Sequence, residues 1–108
     1  PCSGTGTWRR NPEARWRLTP QRLGSLVALQ GRLLEVGAAL VRPGGTLTYV
    51  VCSLLDAEGA DQVAGFLARR SGWSPLGLAI GHSRGPGSRL TPNEHSTDGF
   101  FVAKVQAP

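Results

Sequence analysis

The chain has 108 residues, of which 40% are hydrophobic and 18% charged, and a formal net charge of +5. These values exclude a disordered segment and leave room for one small domain with a core, and no apolar run reaches the ~20 residues that span a bilayer. Two cysteines allow at most one disulfide, which excludes a stapled secreted mini-domain and points to free thiols in a reducing cytoplasm.

The charge is unevenly placed. Residues 1–42 carry seven Arg against Glu13 and Glu35, whereas residues 43–108 carry five basic and five acidic groups. A localised Arg surplus suits contact with nucleic-acid phosphates, and equally suits a basic face that meets only water. There is no initiator Met and no leader pattern, so the chain reads as a piece cut from a longer protein.

Residues 1–18 mix Gly, Ser, Pro, Trp and Arg without periodicity and are expected to form a loop around a site. Thr19-Pro20 then starts a helix, with Thr as cap and Pro at the first helical position. Leu23, Leu26, Val27, Leu33, Leu34, Ala38 and Val41 recur along it at helical spacing. Pro43-Gly44-Gly45 ends the helix, and the β-branched and aromatic run Thr46 to Val51 predicts a strand buried on both faces. Asp56 is the expected N-cap of a second helix that buries Val63, Ala64 and Leu67 and ends at Ser71-Gly72. Trp73 to Ile80 predicts a further strand, Gly81 to Pro92 a long loop, and Phe100 to Val105 a final strand. This order suits the closing part of an α/β sheet, with a crossover helix joining parallel strands and an antiparallel pair at the end.

The chemistry-bearing residues are Cys2, in Pro1-Cys2-Ser3-Gly4-Thr5-Gly6, and Cys52, in Tyr49-Val50-Val51-Cys52-Ser53 at the end of a predicted strand. Either cysteine alone reads first as a small buried hydrophobe. Two Cys and two distant His, His82 and His95, lack zinc-ligand spacing, so no metal is expected. Gly4 and Gly6 lack the third glycine and the following helix of a dinucleotide loop.

Taken with Thr91-Pro92-Asn93-Glu94-His95 and Asp98-Gly99-Phe100-Phe101, the two cysteine segments form an ordered series along nearly the whole chain. The series resembles the C-terminal half of the bacterial Sun/Fmu branch of the RNA 5-methylcytosine methyltransferases. The resemblance implies a Rossmann-like domain that uses S-adenosylmethionine, with a mostly parallel sheet ending in an antiparallel pair. Residues 1–108 would be a partial catalytic domain, with the donor-binding half N-terminal to Pro1 and no donor-site residue within the chain. It further implies that Cys52 is the nucleophile and that Cys2 assists release of the methylated base. Val51 stands where the family usually has Thr, and the family's Asp before Pro-Cys lies outside the chain.

Ribosomal RNA is the implied partner, with Arg9, Arg10, Arg15 and Arg17 as candidate phosphate contacts and Trp8 and Trp16 as candidate stacking surfaces. Core packing accounts for the Trp residues equally well. The fragment alone is expected to be inactive, to remain off the membrane and to self-associate through an exposed strand edge. A noncatalytic RNA-binding module and a redox-active dithiol protein remain as alternatives.

Overall fold

The computed structural model describes residues 1–8, 10, 12–92 and 98–108, with the side chains of Ala14 and Arg15 also outside the description. The N-terminal stretch is more ordered than a loop: 3₁₀ turns form at Thr5–Thr7 and Pro12–Arg17. Helix α1 spans Pro20–Ala39, with Pro20 in its first turn and Thr19 as expected at the cap, where its hydroxyl accepts the Arg22 N–H at 3.1 Å. Leu34 and Ala38 are buried on its inner face together with Gln30, a polar residue whose partners lie at the site. After the Pro43-Gly44-Gly45 turn, strand β1 runs over Thr46–Val51.

Strand β1 is half-buried rather than covered on both sides. Leu47, Tyr49 and Val51 face the helices, while Thr46, Thr48 and Val50 are exposed. The alternation follows from helices lying on one face only of this part of the sheet. The second helix also differs from expectation at its start. Asp56 opens a 3₁₀ turn, Asp56–Glu58, and α2 covers Ala60–Arg69 after Gly59. The Asp56 carboxylate does not cap α2 because Arg84 and Arg89 take it. Val63 and Phe66 of α2 enter the core, and Phe66 meets Trp73 edge-on at 5.2 Å. Glu35 of α1 accepts from Arg69 and Arg70 at the end of α2, a pair of exposed contacts that adds little.

The strand expected over Trp73 to Ile80 shortens to β2, Ser74–Leu76. The expected Gly81–Pro92 loop instead contains a hairpin of β3, His82–Arg84, and β4, Gly87–Leu90. Gly85, with φ +56°, supplies the backbone angle its two-residue turn needs. The last strand, β5, covers Phe100–Gln106 and is the centre of the sheet. Strand β1 pairs along one edge of it, from Thr46 opposite Gln106 to Val51 opposite Phe101, and β2 and β4 share the other edge. All of these pairings are antiparallel.

Since β1 and β2 both oppose β5, they point the same way, with β5 inserted between them and α2 crossing over. The expected parallel relation is therefore one of direction, while the expected antiparallel ending supplies the hydrogen bonds. Among the described residues, the other edge of β1 has no strand partner. The core gathers Leu34, Val51, Val63, Phe66, Phe101 and Val105, and Cys2 packs against it.

Candidate active site

Cys52 follows the buried Val51 at the end of β1 and is exposed, while the next residue, Ser53, is buried. Period-two alternation at a strand end thus presents the thiol outward and anchors its neighbours inward. The N-terminal segment crosses directly over this strand end. The Gly6 N–H donates to the Cys52 carbonyl at 3.1 Å, the Leu54 N–H donates to Thr5 Oγ1 at 2.9 Å, and the Thr5 and Ser53 hydroxyls meet at 3.0 Å. The Gly99 N–H donates to the Gly6 carbonyl at 2.8 Å, which brings in the third sequence segment. A Cβ on Gly6 would lie 1.6 Å from the Gly99 carbonyl oxygen, so only glycine fits where the three segments meet.

Beneath this crossing lies Glu58, which is wholly buried. Its Oε1 accepts from the Ser3 hydroxyl at 2.5 Å and the Ser53 hydroxyl at 2.6 Å. Its Oε2 accepts from the Ser3 N–H at 2.8 Å and from Gln30 Nε2 at 3.0 Å. Gln30 also donates to the Pro1 carbonyl at 2.8 Å, and the Tyr49 hydroxyl donates to the Glu58 carbonyl at 2.6 Å. Burial pushes the Glu58 carboxyl up, but the donors from Ser3, Ser53 and Gln30 outweigh it and leave the group below its ordinary value. Burial pushes the Tyr49 phenol up, with the charges of Glu58 and Cys2 acting in the same direction.

Glu58 does not stand out in the sequence, because an acid just after Cys-Ser looks like a first-turn helix residue. The available signal was indirect: Gln30 and Gln62 are polar residues on faces that otherwise turn inward, and Gln62 donates to Gln30 Oε1 at 3.3 Å.

The two cysteines are free, Cys2 partly buried and Cys52 exposed, and their segments are held together. Of the candidate phosphate contacts, Arg10 forks onto Asp98, with Nε 2.9 Å from each carboxylate oxygen and a terminal nitrogen 2.6 Å from Oδ2. The bond to Asp98 and its charge raise the Arg10 pKa against desolvation, and Cys52 adds in the same sense.

Arg17 is exposed beside Ser3 and Arg22. Arg9 and the side chain of Arg15 lie outside the described residues, as does His95. His82 is exposed on β3, in register with Arg89. Trp16 is 76% exposed, whereas the Trp8 indole N–H is buried. Arg89 donates to the Leu54 carbonyl at 3.0 Å and to Asp56 at 2.8 Å, which pins the hairpin to the Cys52 loop. Among the described residues no three His, Cys, Asp or Glu side chains gather as metal ligands, and no helix is long and apolar enough to cross a membrane.

The family model described as 16S rRNA methyltransferase RsmB/F matches residues 1–106. A probable ribosomal RNA small subunit methyltransferase B of Synechocystis is 41% identical over 98% of this chain and 25% of its own length. The ribosomal RNA small subunit methyltransferase B of Xanthomonas campestris is 43% identical over 95% of this chain and 24% of its own. The solved structure of a methyltransferase homolog protein from Pyrococcus horikoshii superposes with a TM-score of 0.82 at 30% identity, over the whole of this chain and 37% of that one. The chain thus spans about a quarter of the length of these curated relatives.

Proposed function

Since the chain belongs to the RsmB/F family of 16S rRNA methyltransferases, we propose that it is the cysteine-bearing part of an S-adenosylmethionine-dependent enzyme that methylates carbon 5 of a cytosine in ribosomal RNA of the cytoplasm. The observation that carries this reading is the stitching of the Cys2 segment onto the Cys52 segment, through Gly6 with Cys52 and through Ser3 and Ser53 on one carboxylate.

Carbon 5 of cytosine is a poor nucleophile, and a thiolate corrects this by adding to carbon 6. Cys52, exposed at the strand end, forms the S–C6 bond, and the C5–C6 double bond shifts to give an enamine-like ring nucleophilic at carbon 5. S-adenosylmethionine supplies an electrophilic methyl group. Once carbon 5 carries that methyl group, its proton must leave and the S–C6 bond must break. Cys2 as thiolate takes the proton, the electron pair restores the C5–C6 double bond, and the Cys52 thiolate departs. Exposed Arg17 and Trp16 suit phosphate and base contacts at the margin, with Arg9 and Arg15 on the same segment.

We place the donor outside this chain. The groove of ≈ 220 Å³ between α1 and β1, reaching from Pro1 to Val51, is lined mainly by apolar residues such as Leu33, Leu47 and Val50 and has no carboxylate for a ribose. Donor binding is assigned to other parts of the protein, and the isolated chain to an inactive state.

The reading is tested with the full-length protein, S-adenosylmethionine and a 16S rRNA transcript carrying 5-fluorocytosine, whose fluorine cannot leave after methyl transfer as the proton does. A covalent protein–RNA complex should form, with the peptide containing Cys52 attached to the pyrimidine by mass spectrometry. Methylation of the unmodified transcript without any trapped complex would rule out the thiol-adduct chemistry.

A further inference from the structure

We propose that Glu58 is a positioning residue for the reaction: its one buried carboxylate sets the register between the releasing thiol and the nucleophile. The inference rests on the cysteine roles given above and adds to them a group hydrogen-bonded to the serine beside each thiol.

Both cysteines are followed by serine, and both serines end on the same carboxylate oxygen. Ser3 Oγ and Ser53 Oγ donate to Glu58 Oε1 at 2.5 and 2.6 Å. Since each serine is covalently next to its cysteine, the carboxylate fixes where each backbone runs immediately beside its thiol. The second oxygen doubles the hold on the Cys2 side, through the Ser3 N–H at 2.8 Å, and Gln30 joins that oxygen to the Pro1 carbonyl. Cys2 is therefore bracketed on both sides by groups tied to Glu58. The Cys52 segment has further supports, since Gly6 and Thr5 also hold it.

This asymmetry decides the expected effect. Loosening the carboxylate should displace Cys2 more than Cys52, so release of the methylated base should suffer before adduct formation does. A net anion in a fully buried position is costly unless its acceptors are filled, and uncharged donors fill it here. A carboxylate is the group able to accept from two hydroxyls, an amide and a backbone N–H at one point.

The test uses the full-length protein, an unmodified 16S rRNA transcript and the methyl donor, following formation and decay of the covalent complex separately. In Ser3→Ala, which keeps the buried acid, the complex should form at close to the normal rate and decay more slowly. In Glu58→Ala, decay should slow by roughly 100-fold, the scale of an ångström-level misplacement. Glu58→Gln should recover much of that loss, because its amide can donate to the two hydroxyls while its oxygen accepts from Ser3 and Gln30. If Glu58→Ala does not fold, Ser3→Ala and Glu58→Gln carry the comparison.

Equal slowing of formation and decay, or decay at the normal rate in Ser3→Ala and Glu58→Ala, overturns the positioning role. A Cys2→Ala control that accumulates complex keeps such a failure of the positioning role separate from the cysteine assignment. Absence of a complex in every protein, the Cys2→Ala control included, removes the cysteine roles and this proposal together.

Discussion

Gly6 and Cys52 are joined backbone to backbone, the Gly6 N–H donating to the Cys52 carbonyl at 3.1 Å across a sequence separation that covers α1 and β1. The same glycine accepts from the Gly99 N–H at 2.8 Å. Three segments far apart in the sequence are thereby fixed to one another within a single residue's backbone.

The Gly6→Ala substitution should therefore be severe. Its Cβ would fall 1.6 Å from the Gly99 oxygen and 3.0 Å from the Cys52 oxygen, both backbone atoms that cannot rotate away. A loss of about 3 kcal/mol is expected, at the upper end of overpacking costs, read from the urea midpoint of the full-length protein. An unchanged midpoint would show that the crossing is not rigid.

Acid should weaken the site through Glu58. Its folded-state pKa lies below the unfolded value, so the native state binds fewer protons and stability rises with pH through that window. The contribution is complete above the ordinary carboxylate value of about 4.3 and fades as pH falls through the lower folded value. Asp56 and Glu35 are lowered in the same direction, each first by its arginine hydrogen bond, but both are solvent-screened. Thermal melts in a descending pH series should therefore lose less midpoint in Glu58→Gln than in the unsubstituted protein. Parallel losses would contradict the account.

The arginines should divide into two groups. Arg10 is committed to Asp98, whereas Arg17 is exposed beside Arg22. Removing one phosphate-binding cation should make the slope of log affinity against log salt shallower by about 0.7 to 0.9. Arg17→Ala should show such a change and Arg10→Ala a smaller one, measured by filter binding of the full-length protein to 16S rRNA at several salt concentrations. Equal slopes in all variants would make the basic segment a solvated face.

The isolated chain should self-associate. The outer edge of β1 has no strand partner among the described residues, and Leu33, Leu40 and Val50 are 46%, 82% and 55% exposed. An apolar open edge is a template for pairing between chains. Sedimentation velocity should give a concentration-dependent mass for the isolated chain and a monomer for the full-length protein. A strictly monomeric isolated chain would contradict this.

Features governed by neighbours in sequence were legible, and those governed by distant partners were not. The Thr19 cap with Pro20 and the Pro43-Gly44-Gly45 stop depend on a few adjacent residues. The hairpin around Gly85-Pro86 was hidden because its composition is that of a loop and its stability comes from pairing β4 with β5. Asp56 read as a helix cap because nothing local announces Arg84 and Arg89. At the site, the cysteine segments stood out as motifs, while Glu58 did not, since its serine on the Cys2 side lies 55 residues away.

The most direct measurement of the central claim compares Cys52→Ala and Cys2→Ala in the full-length protein with unmodified 16S rRNA and S-adenosylmethionine, on a denaturing gel. Cys52→Ala should form no covalent protein–RNA complex, and Cys2→Ala should accumulate it with the methylated base still attached. Accumulation in Cys52→Ala and none in Cys2→Ala would exchange the two roles, and methylation by the Cys52→Ala variant at the normal rate would contradict the account outright.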